Sequence, residues 1–155
     1  MLTLEPAGDE PEITDPAFTG EWAESLKDWS SDGTTPPWCQ YFVRLDGAPV
    51  GMGGFKSALD ARGEVEIAYI TFIPARDRGT ATAIAAMLVE IARKAGARTI
   101  CAHTLPETNA STRVLEKNGF IVAGDVDDPD DGRVWRWERA AFPDDKLGPP
   151  EVKAL

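Results

Sequence analysis

A mixed α/β fold is predicted, with one mostly antiparallel central sheet flanked by helices in a single domain. Three observations predict it. The middle of the chain reads strand, glycine-bearing loop, helix, strand, helix. Hairpin-like strand pairs flank that unit on both sides, so a regularly alternating, doubly wound sheet does not fit. The length of 155 residues and a hydrophobic content of 43% suit one core of ordinary size.

Residues 2–5 form a short first strand, and 6–16 a loop. From Ala17 to Trp29 the apolar positions Phe18, Trp22, Leu26 and Trp29 recur at three and four, which predicts an amphipathic helix. The run SSDGTTPP, 30–37, is a loop by composition. Cys39, Tyr41, Val43 and Leu45 then alternate with Gln40, Phe42 and Arg44 as a strand. Asp46-Gly47 is a hairpin turn leading into PVGMGGF. After Ala61-Arg62-Gly63 comes the best strand of the chain, EVEIAYITF, 64–72. The loop IPARDRG precedes a helix from Thr80 to Ala95 with Ile84, Leu88, Ile91 and Ala95 as its buried stripe. Arg93 and Lys94 complement its C-terminal dipole, and Gly96 ends it. A strand at 99–105, a helix from Asn109 to Gly119 and the strands FIVAGDV and RVWRWERA complete the order. Residues 143–155 form a loose, proline-rich tail.

The net charge is −10. Such a surface repels nucleic acid and anionic membranes, whose binding depends on Lys and Arg meeting phosphates; it tolerates a cationic partner. No segment approaches the roughly 18 apolar residues of a membrane span. The acidic start MLTLEPAGDEPE has no signal-peptide pattern, and a cytoplasmic setting is expected. Cys39, Cys101 and the single histidine, His103, have neither disulfide nor zinc spacing, so no metal is expected. The acidic run from Asp125 to Asp131 reads as a solvated hairpin loop: Pro129 and the strand that follows spoil a calcium loop.

Residues 64–82 place a strand, a tight turn and a helix start in succession. The first N–H groups of a helix lack internal partners and carry positive dipole, which suits phosphate. Arg76 and Arg78 add cations there, and Gly79 permits close approach. Neither a P-loop nor a three-glycine dinucleotide fingerprint is present.

The run Arg76-Asp77-Arg78-Gly79-Thr80-Ala81 resembles the Arg/Gln-x-x-Gly-x-Gly/Ala signature of the GNAT acetyltransferases. Val65 to Tyr69 looks like that family's fourth strand. Asn109-Ala110-Ser111-Thr112-Arg113-Val114-Leu115-Glu116-Lys117-Asn118-Gly119-Phe120 resembles its other coenzyme motif, in the branch of ribosomal-protein alanine acetyltransferases. The resemblance spans about 38–140 and implies an acetyltransferase domain over 1–142. It implies acetyl-CoA as cosubstrate and a primary amine, small molecule or protein N-terminus, as acceptor, in a monomer or homodimer. It places the pyrophosphate on Arg76, Asp77, Arg78, Gly79, Thr80, Ala81 and Thr82. The pantetheine arm would run along the strand 64–72, with Thr71, Phe72, Ile73, Asn109 and Ser111 also binding the coenzyme, and a backbone N–H near Phe72 would polarise the thioester carbonyl. Asp77 stands where relatives often have glycine, and Leu115 where many carry a thiolate-protonating tyrosine.

Amine acetylation needs a base, an oxyanion donor and a proton for the thiolate. Glu66 is the expected base, acting directly or through water, against the plainer role of a solvated strand residue or salt-bridge partner, with Glu64 in reserve on the same strand face. Ser111 is the expected acid or sulfur donor, against the plainer role of helix capping with Asn109. His103 has the right chemistry for proton transfer, although a lone strand histidine is more often structural. Core packing is the default for Trp22, Trp29, Trp38, Trp135 and Trp137, with an aromatic acceptor pocket as the alternative. The rival function is a non-catalytic acyl-CoA-binding or sensing domain.

Overall fold

The computed structural model describes residues 1–27, 35–129 and 132–142. Trp29 and the expected tail, 143–155, lie outside the described residues. Seven strands form one sheet: β1 (Leu2–Pro6), β2 (Gln40–Leu45), β3 (Ala48–Phe55), β4 (Glu64–Thr71), β5 (Thr99–Thr104), β6 (Ile121–Asp128) and β7 (Gly132–Ala140), in the order β1-β2-β3-β4-β5-β7-β6. Every neighbouring pair is antiparallel except β4 with β5. The β2–β3 turn has φ of 51° at Asp46 and 89° at Gly47, the double left-handed conformation for which Asp-Gly hairpins are selected.

Helix α3 (Thr80–Lys94) packs on one face of the sheet, with Ile84, Ala85, Leu88, Val89 and Ala92 buried. The true stripe is therefore shifted from the expected one: Ile91 and Ala95 are only partly buried. Gly51 and Gly53 of β3 lie under this helix. A Cβ at either would come within 2.9 Å or 2.8 Å of Ile84, so their missing side chains are what lets α3 sit close. Helix α4 (Ala110–Lys117) follows β5, and Asn118 joins the two helices by donating from Nδ2 to the Thr82 carbonyl at 3.2 Å.

The opposite sheet face carries a smaller core of Ile13, Phe42, Met52 and Phe72, onto which Phe18 packs edge-on at 5.7 Å. The expected continuous helix from Ala17 to Trp29 is broken here. Short α1 (Pro16–Thr19) and α2 (Ala23–Leu26) are separated by a 3₁₀ turn at Gly20–Trp22. Gly20 has φ 57°, which helical residues do not adopt, and the Thr19 hydroxyl donates back to the Ile13 carbonyl at 3.0 Å. The apolar spacing is satisfied by folding the segment onto Phe72 instead of extending it.

One detail of the register positions the site. β4 and β5 pair only through Glu64↔Thr99, Val65↔Ile100 and Glu66↔Cys101. Beyond Glu66 the two strands part while each continues, β4 to Thr71 and β5 to Thr104.

Candidate functional site

A cavity of about 850 Å³ runs from the start of α3 and the side of α4 past β4 to Trp22, Leu26 and Gln40. The cradle forms for local reasons. The chain leaves β4 through a 3₁₀ turn, Ile73–Ala75, then passes Asp77 at φ 64° and Gly79 at φ 76° into α3. Gly79 is the N-cap and supplies no side-chain acceptor. The first intrahelical bond is Ala83 N–H to the Gly79 carbonyl at 3.1 Å, which leaves the N–H groups of Thr80, Ala81 and Thr82 facing outward as the helix's free donors. The Thr80 hydroxyl is itself turned inward, donating to the Ala75 carbonyl at 3.2 Å.

The charge of the lining is the reverse of that of the chain. Lys56, Arg76, Arg113 and Lys117 line this cavity against one carboxylate, Asp77, in a protein of net charge −10. Arg76 lies beside the N-terminus of α3, Arg113 and Lys117 are on α4, and Lys56 pairs with Glu66 at 3.3 Å; cations near a helix N-terminus attract a polyanion. Thr71 Oγ1, also in the lining, is buried with no hydrogen-bond partner among the described residues. Leaving a buried hydroxyl unpaired costs about 1–3 kcal/mol, so a ligand group that completes it is favoured.

Four residues expected to contact the coenzyme, Phe72, Ile73, Arg78 and Asn109, do not line the large cavity. Phe72 is fully buried in the smaller core, and its N–H is already taken up by the Val50 carbonyl at 2.9 Å. Because N–H groups alternate sides along a strand, those of Tyr69 and Thr71 point instead to the β5 side, where β4 has no ladder partner beyond Glu66. The Phe72 N–H is thus committed within the sheet, while that of the neighbouring Thr71 has no β5 ladder partner. Ile73 and Arg78 are exposed and line neither cavity. Asn109 lines neither as well: its Oδ1 accepts from Thr112 N–H at 3.1 Å in a capping box, with the Thr112 hydroxyl accepting from Asn109 N–H at 2.9 Å. Ser111 takes no part in that cap and lines both cavities.

A second cavity of about 110 Å³ lies at the parting itself, lined by Lys56, Glu66, Tyr69, His103, Thr104 and Ser111 among others. Glu66 and His103 meet there, with Nδ1 at 2.8 Å from Oε2, and Lys56 Nζ lies 3.3 Å from the same oxygen. The three are brought together by register: Glu66 pairs with Cys101, so His103 stands two residues on along β5, on the same face. Both Glu66 and His103 are about four-fifths buried, with side-chain exposures of 22% and 19%. Glu64 is held differently, by Arg136 at 3.0 Å, and Arg136 also reaches Glu138 at 2.6 Å. That ion-paired arrangement ties down the reserve carboxylate. Cys101 lies between, and burial pushes its thiol up to about 11, so it stays protonated.

Leu115, at the position of the absent tyrosine, is fully buried in the core and carries no acid chemistry. Tyr69 does face both cavities, and its hydroxyl donates to the Ser111 carbonyl at 3.4 Å. Burial holds its phenol protonated, well above the ordinary value. Sequence reasoning missed Tyr69, Lys56, Arg113 and Lys117. The i,i+4 spacing of Arg113 and Lys117 within the second motif was the available signal, since it places both on one face of α4. Among the tryptophans, Trp38 packs edge-on against Phe55 at 5.1 Å, and Trp135 and Trp137 pack together at 6.4 Å. Trp22 is half-exposed and lines the large cavity.

A family model described as an acetyltransferase (GNAT) domain matches residues 6–121. No curated protein gives a significant match. Among solved structures, an aminoglycoside acetyltransferase, AAC(6')-Ib, in complex with coenzyme A superposes with a TM-score of 0.75. It has 18% identity, over 94% of this chain and 99% of that one. A spermidine N-acetyltransferase chimera from Vibrio cholerae and hSSAT gives 0.72 at 14% identity, over 90% and 95%. A ribosomal L7/L12 α-N-protein acetyltransferase, RimL, in complex with coenzyme A gives 0.60 at 16%, over 68% of this chain and 63% of that one. These likenesses are of fold, while the family match covers most of the sequence. The uncapped, cation-lined helix start beside a half-open sheet thus belongs to a member of the GNAT acetyltransferase family.

Proposed function

We propose that the protein transfers an acetyl group from acetyl-CoA to a primary amine, by direct attack with both substrates bound. The observation that carries this reading is the large cavity, in which Arg76, Arg113, Lys117 and the free N–H groups of α3 meet one carboxylate, Asp77. Thr80, Ala81 and Thr82 N–H with Arg76 hold the pyrophosphate, and Arg113 and Lys117 add charge from α4. Thr71 Oγ1, otherwise unpaired, hydrogen-bonds the pantetheine arm. Acetyl-CoA supplies an acetyl group activated as a thioester.

The chain's own groups do the rest. The Tyr69 and Thr71 N–H groups offer the donors for developing negative charge on the carbonyl oxygen. Glu66 accepts the amine proton, with His103 hydrogen-bonded to the same oxygen, so that the pair shares that proton. Ser111 Oγ assists the departing sulfur. The Glu66–His103 pair favours catalysis over the sensing alternative, because a pure coenzyme receptor has no use for two proton-transfer groups beside the cavity. The acceptor is an amine that arrives as a cation, which the net charge of −10 attracts. Kanamycin, spermidine and a protein N-terminus, named for the structural neighbours, bracket the class.

A panel of such amines with acetyl-CoA, read by release of free thiol, tests the proposal. Amine-dependent thiol release is expected. Calorimetric binding of acetyl-CoA with no thiol release across the panel would leave only the sensing function.

A further inference from the structure

Resting on the reading just given, we infer that Lys56 is itself an acetyl acceptor, modified by the protein's own site. Lys56 is one of the few side chains that line both cavities, the large groove and the small one at the β4–β5 parting. Its Nζ lies 3.3 Å from Glu66 Oε2, the oxygen that His103 Nδ1 approaches to 2.8 Å. A primary amine is thus already in the place where the acceptor amine must lie, against the base and open to the acyl groove. No diffusing substrate is needed to bring one there. The other described lysines are not so placed. Lys27 pairs with Glu24 at 2.8 Å and Lys94 with Glu90 at 3.8 Å, both on the surface, and Lys117 lines only the large cavity.

The chemistry balances with acetyl-CoA as the only co-reactant. The Lys56 ammonium gives one proton to Glu66, and the freed nitrogen pair attacks the thioester carbonyl carbon. The C–N bond forms and the C–S bond breaks. The second nitrogen proton goes to the departing thiolate, and the first passes from Glu66 to solvent. The products are an Nε-acetyl-lysine, a free thiol and one released proton. The neutral amide no longer pairs with Glu66, whose oxygen is then free for an incoming amine. Lys56 is in this sense both the first substrate of the site and the charge that guards its base.

The test uses the full chain with deuterated acetyl-CoA and no added amine, followed by peptide mass spectrometry of each lysine. Label is expected at Lys56, approaching one group per chain at a rate independent of protein concentration. It should appear at roughly 10²-fold the rate at Lys94, the scale of a positioned base. Spontaneous acetylation would give the opposite order, since the Lys94 side chain is 78% exposed and that of Lys56 only 53%. Glu66→Gln should slow labelling of Lys56 alone, with acetyl-CoA binding by calorimetry intact, and Lys56→Arg should abolish the fast label. If acetyl-CoA binds but Lys56 labels no faster than Lys94, or labels equally fast in Glu66→Gln, the inference is wrong and the amine-transfer proposal stands. If acetyl-CoA does not bind, it is the proposal itself that fails.

Discussion

Asp77 puts two effects at one position, and a pair of substitutions separates them. Its backbone has φ 64°, a conformation that glycine adopts freely and that costs most other residues about 1 kcal/mol, aspartate and asparagine less. Its carboxylate lines the large cavity beside Arg76 and Gly79, where the proposed pyrophosphate lies. One partly screened like-charge contact of this kind is worth about 1 kcal/mol. Asp77→Asn keeps the tolerance for positive φ and removes only the charge. It should bind coenzyme A about fivefold more tightly, the equivalent of 1 kcal/mol, with its melting temperature unchanged. Asp77→Gly should tighten binding by the same factor, because relief of backbone strain acts on folding and is offset by the extra freedom of glycine in the unfolded chain. Calorimetric titration at low and high salt measures both. The gain should shrink as salt screens the contact, since the Debye length is only about 10 Å at 0.1 M. Binding by Asp77→Asn no tighter than that of the parent would refute the electrostatic account. A gain confined to Asp77→Gly would then assign the effect to loop flexibility.

Three further outcomes are expected. Glu66→Gln should lower turnover of an accepted amine by roughly 10²-fold at pH 7 with coenzyme affinity intact, the deficit narrowing at high pH as more amine arrives neutral; near-normal turnover would remove Glu66 as base. Thr71→Val should move stability and affinity in opposite directions, raising the melting temperature of the free protein and weakening coenzyme A binding; loss of both together would mean the hydroxyl supports the fold. Burial raises the Cys101 thiol from 9.0 to about 11, so the folded state keeps a proton that the unfolded chain loses. That stabilisation is complete below pH 9 and is lost as pH rises toward 11, so denaturation midpoints should fall less steeply over that window in Cys101→Ala than in the parent.

The parts of the fold that local chemistry decides were legible in the sequence. The Asp46-Gly47 hairpin, the strand from Glu64, the helix from Thr80 and its glycine stop at Gly96 all follow from turn residues and period. The cradle was legible for the same reason, since strand, turn and helix are consecutive. What was not legible depends on register between distant segments. In the sequence Glu66 and His103 are separate candidates 37 residues apart; only the pairing of Glu66 with Cys101 brings them to 2.8 Å. Lys56 joins them by lying beside Glu66 across the β3–β4 edge, where its N–H donates to the Glu66 carbonyl at 3.0 Å. Phe72 turns its side chain into the smaller core and its N–H to Val50, an alternation that a one-residue shift in strand phase inverts. The Ala17–Trp29 helix failed because its periodicity carries no warning of the positive φ at Gly20.

The three-pair contact between β4 and β5 has a mechanical meaning. It divides the sheet into a four-strand blade, β1 to β4, and a three-strand blade, β5 to β7, joined along a short seam. Each blade carries half of the site: Lys56, Glu66, Tyr69 and Thr71 on one, His103 on the other, with Ser111 on the helix that follows it. The gape between the blades therefore sets the separation of Glu66 from His103. The last stitch of the seam is Cys101 opposite Glu66, a small, 4%-exposed side chain directly below the working groups. Bulk added there acts as a wedge, so a residue that lines neither cavity sets the aperture between the two blades.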